Sequence, residues 1–487
     1  MKRTLCFTAL FAVAINAANN VTDKVASLPL CAPLKSAWYS GYLSVTATKQ
    51  LHYVFIESLD KPATDPVLIW FNGGPGCSSL LGLFQENGPF IIDDGETVIK
   101  PNSFPWNKQA NLLYIESPAG VGFSIGNTTD DQLHSDMSQS TDAFEALKDF
   151  YVAYPAYRSN DLYITGESYA GIYGPYLAWQ IHQWNLVQKM NDWTDTYPLA
   201  GFIIGNGYTD PYSDSNVLFP QTLFNMNMIS WQLFTQIQNA GCVWYWDKLD
   251  ISPHKNGPEC DGYWKTLNSM LAFVNIYDLY RTNYADSSSL RVEAEHKGVT
   301  EKKKLGSTIV DGTERTYKRG STAGERTPWL RSLFGEDHPM LNQILGDGQS
   351  DYLNRADVRQ ALNIPSWITS YEQCNNGMYI TYQSFREGSV WIYPILKEYG
   401  YRLMHYSGDT DGAIPTLGTR KWISELGWDV TQDWRPWTTN GQISGYLIDY
   451  DNFQFATVHG VGHMAPQWKR EDMTDLIMNF IHKQPIN

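Results

Sequence analysis

Ile164-Thr165-Gly166-Glu167-Ser168-Tyr169-Ala170-Gly171 is the stretch on which the fold turns. Residues 162–164 ahead of it, Leu-Tyr-Ile, are apolar and β-prone, as expected of a parallel strand buried on both faces. Residues 169–184 behind it hold no proline except Pro175 in the early turns, and favour a helix. A serine caught between such a strand and helix sits on a sharp turn that lifts its hydroxyl out of the sheet, and the crowding there demands small neighbours. Gly166 supplies one, two residues before the serine. Two residues after it stands Ala170 rather than glycine, with Gly171 following, so the elbow is a variant one.

The flanking chain repeats the same grammar. Ala37 to Val45 and Leu51 to Ile56 predict a hairpin. The apolar run Val67-Leu68-Ile69-Trp70-Phe71 predicts a strand and ends in Asn72-Gly73-Gly74-Pro75-Gly76-Cys77-Ser78-Ser79. Glycines there let backbone N–H groups approach a ligand, which is how one half of an oxyanion hole is built in an α/β-hydrolase. A strand over 111–115 follows, then a helix over 135–151, then the elbow, then a strand over 199–205. Strand, helix, strand in alternation predicts an α/β fold with a mostly parallel sheet flanked by helices.

The rhythm lapses over 211–349. Helices are expected at 224–241 and 263–280, and Cys242 and Cys260 flank a short segment between them. Residues 285–326 are polar, charged and poor in aromatics, as in an exposed loop and a protease target. The stretch reads as an inserted, largely helical cap over one catalytic domain spanning 19–487. The sheet pattern then resumes at 352–354, with a helix over 357–362 and a strand over 401–406. After Ser407-Gly408-Asp409-Thr410-Asp411 come a strand over 453–458, the loop Gly460-Val461-Gly462-His463-Met464-Ala465-Pro466, and a closing helix over 471–482.

Composition narrows the class. Aromatics make up 14% of 487 residues, ample for a large core, and a net charge of −15 argues against nucleic acid. Met1-Lys2-Arg3, the apolar run to Ile15 and Ala17-Ala18 have the parts of a secretory signal over 1–18, too short for a membrane anchor. Secretion would place the cysteines in an oxidising compartment. Cys6 leaves with the signal, so an odd number remains and one stays free or pairs between chains. No Cys-x-x-Cys or His-rich cluster predicts a metal site, and no cofactor is expected. Asn127-Thr128-Thr129 is a glycosylation sequon, and Asn20-Val21-Thr22 is another.

A serine hydroxyl is a poor nucleophile unless a histidine takes its proton and an acid holds that histidine in the right tautomer. Ser168, the Asp409/Asp411 loop and the Gly-His-Met loop fall in the order serine, acid, histidine, each after an apolar strand. Asp409 competes with Asp411, and His459 with His463.

The segments Trp70 to Ser79, Gly166 to Gly171, Ser407 to Asp411 and Gly462 to Pro466 together resemble the serine carboxypeptidase family, over about 39–480. The variant elbow belongs to that resemblance. It implies Ser168 as nucleophile, Asp411 as orienting acid and His463 as base. It implies the backbone N–H groups of Gly74 and Tyr169 as oxyanion donors, and Trp70, Asn72, Glu86 and Glu167 as the set that binds a substrate carboxylate. Met464 would line the pocket for the departing residue, favouring hydrophobic ones. The implied disulfides are Cys77 with Cys374 and Cys242 with Cys260, leaving Cys31 over, and cleavage within 285–326 gains weight.

Two glutamates brought together in a dry cleft cannot both ionise cheaply, so one keeps a proton and donates to the substrate carboxylate. The expected activity is therefore release of C-terminal residues from peptides and proteins through an acyl-enzyme, favoured by acid, on a secreted or lysosome- or vacuole-like route. The expected partners are peptide or protein C-termini, without nucleic acid or membrane anchor, a homodimer being left open. The rivals are an acyltransferase on the same scaffold and a non-catalytic binding or chaperone member.

Overall fold

The structure is a computed structural model that describes residues 22–94, 96–214, 218–242, 257–271, 274–281, 307–310, 313–316 and 347–486. The predicted signal at 1–18 and the Asn20 sequon position lie outside the described residues.

The middle of a 12-stranded sheet is parallel, in the spatial order Asn111–Ile115, Val67–Phe71, Leu162–Glu167, Leu199–Gly205, Arg402–Gly408 and Phe453–Val458. Antiparallel strands Lys49–Ile56, Trp38–Ser44 and Lys24–Val25 extend one side, and Gln442–Tyr450 and Val430–Thr439 the other. Within the parallel block the chain runs outward in one direction from Val67–Phe71 and in the other from Leu162–Glu167. That reversal leaves a crevice beyond the carboxyl ends of these two neighbours, where α/β sheets bind ligands. The glycine-rich loop and the serine elbow both emerge there.

Side chains alternate between the two faces of the sheet. Leu113 and Ile204 join Phe144, Leu147, Phe150, Tyr173 and Trp422 of helices Asp136–Ala153, Ala170–Met190 and Thr416–Glu425. Leu112 and Ile203 face the opposite way, towards Met473, Leu476, Ile477 and Phe480 of helix Arg470–Ile481. Helix Asp136–Ala153 starts where Ser135 and Ser138 exchange side-chain-to-backbone hydrogen bonds, a capping box that satisfies two orphan N–H groups.

Within the insertion, helices Phe219–Asn225, Trp231–Asn239 and Pro258–Leu271 share a small core of Phe219, Leu223, Ile237, Trp264 and Leu267. The disulfide Cys242–Cys260 ties it together. Three sequence expectations are corrected. The helix expected over 224–241 is two helices, broken where Asn227 takes φ 58° and Ser230 caps the second by accepting from the Leu233 N–H. The helix expected over 263–280 ends at Leu271, and 274–281 is turns. Tyr352 and Leu353, expected in a strand, end helix Asp347–Leu353, because a short apolar pair packs equally well from one helix face and Tyr352 stacks edgewise on Phe84. Of the polar stretch 285–326, Ser307–Val310 and Thr313–Thr316 pair as a short antiparallel ribbon, and the rest lies outside the described residues.

Candidate active site

Ser168 has φ 61°, a conformation that a side-chain-bearing residue adopts only when its surroundings enforce it. They do. Its N–H donates to Gly205 O at 3.1 Å and its carbonyl accepts from Gly171 N and Tyr208 N, both at 2.9 Å. A Cβ on Gly166 would overlap Phe71 O and crowd Ala170, and one on Gly171 would meet the Tyr208 backbone. Small residues at 166, 170 and 171 are therefore what the turn needs. The glycine-rich loop lies against this elbow: a Cβ on Gly73 would collide with Tyr169 N and Ser168 Cβ. Gly74 takes φ 112°, open to glycine alone.

His463 Nδ1 lies 2.7 Å from Asp411 Oδ2, both side chains almost wholly buried. Asp411 is held twice more, accepting from Ala413 N at 2.7 Å and from Asn206 Nδ2 at 2.9 Å. With Asp411 accepting at Nδ1, the other imidazole nitrogen, Nε2, is the basic one, and it is buried without a hydrogen-bond partner. Ser168 is connected to this pair through one strand end: the carbonyl that takes its N–H belongs to Gly205, and the next residue, Asn206, supports Asp411. The competitors Asp409 and His459 pair with each other at 3.0 Å instead, at the surface.

The residues of the expected carboxylate-binding set form one cluster. The Trp70 indole N–H donates to Asn72 Oδ1 at 2.8 Å, as does Gly82 N at 2.8 Å. Asn72 spends both amide hydrogens, on Glu86 Oε1 at 2.9 Å and Glu167 Oε1 at 3.1 Å. Trp70 and Asn72 thus orient the two glutamates. Burial pushes Glu86 up to about 7 against the Asn72 hydrogen bond. Burial and then the Glu86 charge raise Glu167 well above the carboxylate range. The carboxyls lie within hydrogen-bonding reach of each other, and among the described residues neither Oε2 receives a hydrogen from any other group. His463 and Asp411 are close enough to act electrostatically on this pair, so the acids and the dyad are neighbours.

Met464 is buried directly after His463. Cys77 bonds to Cys374, fixing the end of the glycine-rich loop, and Cys31 is a free thiol beside the Tyr352 hydroxyl. Asn127 is exposed. Among the described residues, no cluster of three or more His, Cys, Asp or Glu could hold a metal ion, and no helix is long and apolar enough to cross a membrane.

Two contributors escaped sequence reasoning. Asn206, buried at φ 43°, also accepts from Gly408 N at 3.1 Å, and so links the ends of the neighbouring strands Leu199–Gly205 and Arg402–Gly408. Its only signal is an Asn-Gly pair closing an apolar strand. The segment 274–281 of the insertion grips both late loops. Tyr277 O accepts from His463 N at 2.6 Å and its ring packs edgewise on the imidazole, while Ile276 O accepts from Gly412 N and Asp278 accepts from Thr410 Oγ1.

A family model for serine carboxypeptidases matches residues 29–483. The chain belongs to the serine carboxypeptidase family. It is thus a serine-type hydrolase with the α/β-hydrolase fold expected from its sequence. Serine carboxypeptidase 1 of Hordeum vulgare is 32% identical over 459 residues, covering 90% of this chain and 88% of that protein. The lysosomal protective protein of Mus musculus is 32% identical over 478 residues, covering 95% and 94%. Among solved structures, the prohormone-processing carboxypeptidase Kex1(delta)p of Saccharomyces cerevisiae superposes with a TM-score of 0.66 at 19% identity, over 95% of this chain and 96% of that one. That likeness speaks for the fold.

Proposed function

We propose that this serine carboxypeptidase removes C-terminal residues from peptides, hydrophobic ones best, and that it works best in acid. The observation that carries the reading is the buried Glu86–Glu167 pair, joined through Asn72, with Glu167 next to Ser168 in the chain. A lipase or esterase has no use for two carboxyls there. Below neutrality the pair keeps a proton and donates a hydrogen bond to a free terminal carboxylate; fully ionised it would repel one.

With the chain end anchored, the last peptide carbonyl meets Ser168. His463 Nε2 takes the hydroxyl proton as Oγ bonds to the carbonyl carbon, and the Gly74 and Tyr169 N–H groups receive the oxyanion. Asp411 stays ionised and accepts from Nδ1–H throughout. His463 then passes the proton to the departing nitrogen. The C–N bond breaks, the terminal residue leaves, and the rest of the peptide remains as an ester on Ser168. Water repeats the sequence: His463 takes its proton as the oxygen adds to the ester carbon, the C–Oγ bond breaks to free the shortened peptide as its acid, and the proton returns to Ser168 Oγ. Met464, beside the base, would line the pocket of the leaving residue.

The insertion at 211–349 would act as a cap, and 285–326 as the place where the chain is nicked. A secreted or lysosome-like route is supported by the signal-like composition of 1–18, the disulfides, the exposed sequon Asn127 and the resemblance to the lysosomal protective protein.

Amidation of the C-terminus is the direct test. A peptide with a free carboxylate should be trimmed, its amide should be turned over far more slowly, and Ser168→Ala should abolish both trimming and fluorophosphonate labelling. Equal turnover of acid and amide would overturn the reading. A product ester formed with added alcohol in place of the free acid would favour the acyltransferase.

A further inference from the structure

Glu116 directly follows the strand Asn111–Ile115 and is wholly buried, yet the hydrolytic steps do not use it. Its Oε1 accepts from the Ser78 hydroxyl, and its Oε2 accepts from Phe123 N at 2.9 Å and lies 2.8 Å from His52 Nδ1. His52 Nε2 is 3.0 Å from Ser40 Oγ, whose own hydrogen goes to Leu362 O at 2.7 Å. With that hydrogen spent, Nε2 must donate to Ser40 while Nδ1 donates to the carboxylate. One proton then lies between Nδ1 and the Glu116 carboxyl, holding ring and acid together. The order serine, histidine, acid imitates a catalytic triad. Ser40, His52 and Glu116 are all sealed from solvent, so no substrate reaches them.

A buried acid–imidazole contact is weak as a source of stability, because desolvation offsets most of the attraction. What this one does have is a rigid grip on Ser78. Beyond its bond to Glu116, the Ser78 hydroxyl accepts from Leu80 N at 3.1 Å, and Ser78 N donates to Gln373 O at 2.7 Å. The preceding residue, Cys77, is bonded to Cys374 and donates its N–H to Gly73 O at 3.1 Å. Gly122, at φ 53°, has no room for a Cβ because the Glu116 carboxylate occupies that space. From Glu116 through Ser78 and Cys77 a continuous set of bonds reaches the turn that presents Gly74.

We infer that Glu116, backed by His52 and Ser40, is a positioning residue: it fixes the glycine-rich loop through Ser78, so that the Gly74 N–H is aimed at the oxyanion before substrate arrives. The inference rests on the oxyanion role proposed above for Gly74. Interactions realised only in the transition state lower kcat and leave KM unchanged when lost. The glutamates are held through Asn72, which has its own bonds to Trp70 and Gly82, so substrate binding should survive.

The test uses Ser78→Ala, which removes one hydroxyl and leaves the Glu116–His52 pair intact, and Glu116→Gln, which keeps the shape and removes the charge. On a free-carboxylate peptide each should lower kcat roughly 10- to 100-fold with KM within about twofold. Affinity for a peptide aldehyde, which forms the tetrahedral adduct, should fall by the same factor, and inhibition by the released amino acid should not change. Should Glu116→Gln fail to fold, Ser78→Ala decides. Unchanged kcat in Ser78→Ala, or a loss shared equally with product inhibition, overturns the inference. Ser168→Ala run alongside tests the underlying reading separately: peptide turnover surviving that change sinks the proposed function itself.

Discussion

Two Asp–His pairs stand on the same two loops of this molecule. Asp411 and His463 lie 2.7 Å apart with side-chain exposures of 0% and 3%, and Asp409 and His459 lie 3.0 Å apart with 33% and 64%. Contact alone does not separate them. Surroundings do: Asp411 takes two further hydrogen bonds from Ala413 and Asn206, and His463 keeps Nε2 unpartnered inside the protein. Asp409 takes one from Gly460 N, and its histidine faces solvent. An imidazole held by a desolvated, fully oriented acid has one tautomer and one direction. One held at the surface has neither.

The sharpest way to break that contrast is to neutralise each acid in turn. Asp411→Asn should lower kcat by about 10⁴-fold, because the amide presents the wrong hydrogen-bond partner to Nδ1. Asp409→Asn should leave peptide trimming within about twofold. Equal losses in steady-state kinetics would show that burial is not what distinguishes the pairs. A smaller effect is expected one step out. Asn206→Ala removes a donor from Asp411 and leaves a buried carboxylate oxygen undersupplied, which costs about 1–3 kcal/mol. Placed on the transition state, that loss should appear in kcat, with KM nearly constant.

The glutamate pair gives the pH test. Both carboxyls are raised by burial, so the folded protein holds protons that the unfolded chain would release. The associated stability, and the hydrogen bond offered to a substrate carboxylate, are present in acid and are lost as pH rises through the folded value, about 7 for Glu86. KM for a free-carboxylate peptide should therefore begin to climb above about 7, as Glu86 and then Glu167 ionise, while the reaction of Ser168 with a fluorophosphonate, which has no carboxylate, should not show this limb. Glu167→Gln should flatten the climb. An unchanged KM profile in that variant would falsify the carboxyl-pair account.

How much of this was legible follows from where each signal lives. The strands Val67–Phe71, Asn111–Ile115, Leu199–Gly205 and Phe453–Val458 coincide with their apolar runs, because a parallel strand buried on both faces must be apolar throughout. The antiparallel pair Val430–Thr439 and Gln442–Tyr450 went unread. It lies at the sheet edge with much of its surface exposed, and Pro436 argues against a strand anywhere but an edge. Only its turn, Asn440-Gly441 with φ 51° and 72°, carried the hairpin signature. The strained elbow at Ser168 and the loops that bring Asp411 to His463 were legible because each is announced by its own turn. Asn206, Glu116 and the 274–281 segment were not, since their roles arise from neighbours brought together by the parallel order of the sheet and the return of the insertion.

The smallest expected effect belongs to the outer pair itself. Asp409 and His459 form an ion pair only when the imidazole is protonated, and at these exposures water and salt screen most of the attraction. A double-mutant cycle of Asp409→Asn and His459→Gln, read by denaturant unfolding, should give a coupling below about 1 kcal/mol that shrinks further in molar salt. A larger, salt-insensitive coupling would mean that the Gly460 turn depends on the pair. The outer pair would then help hold the loop that carries His463, and the two pairs would be coupled parts of one support.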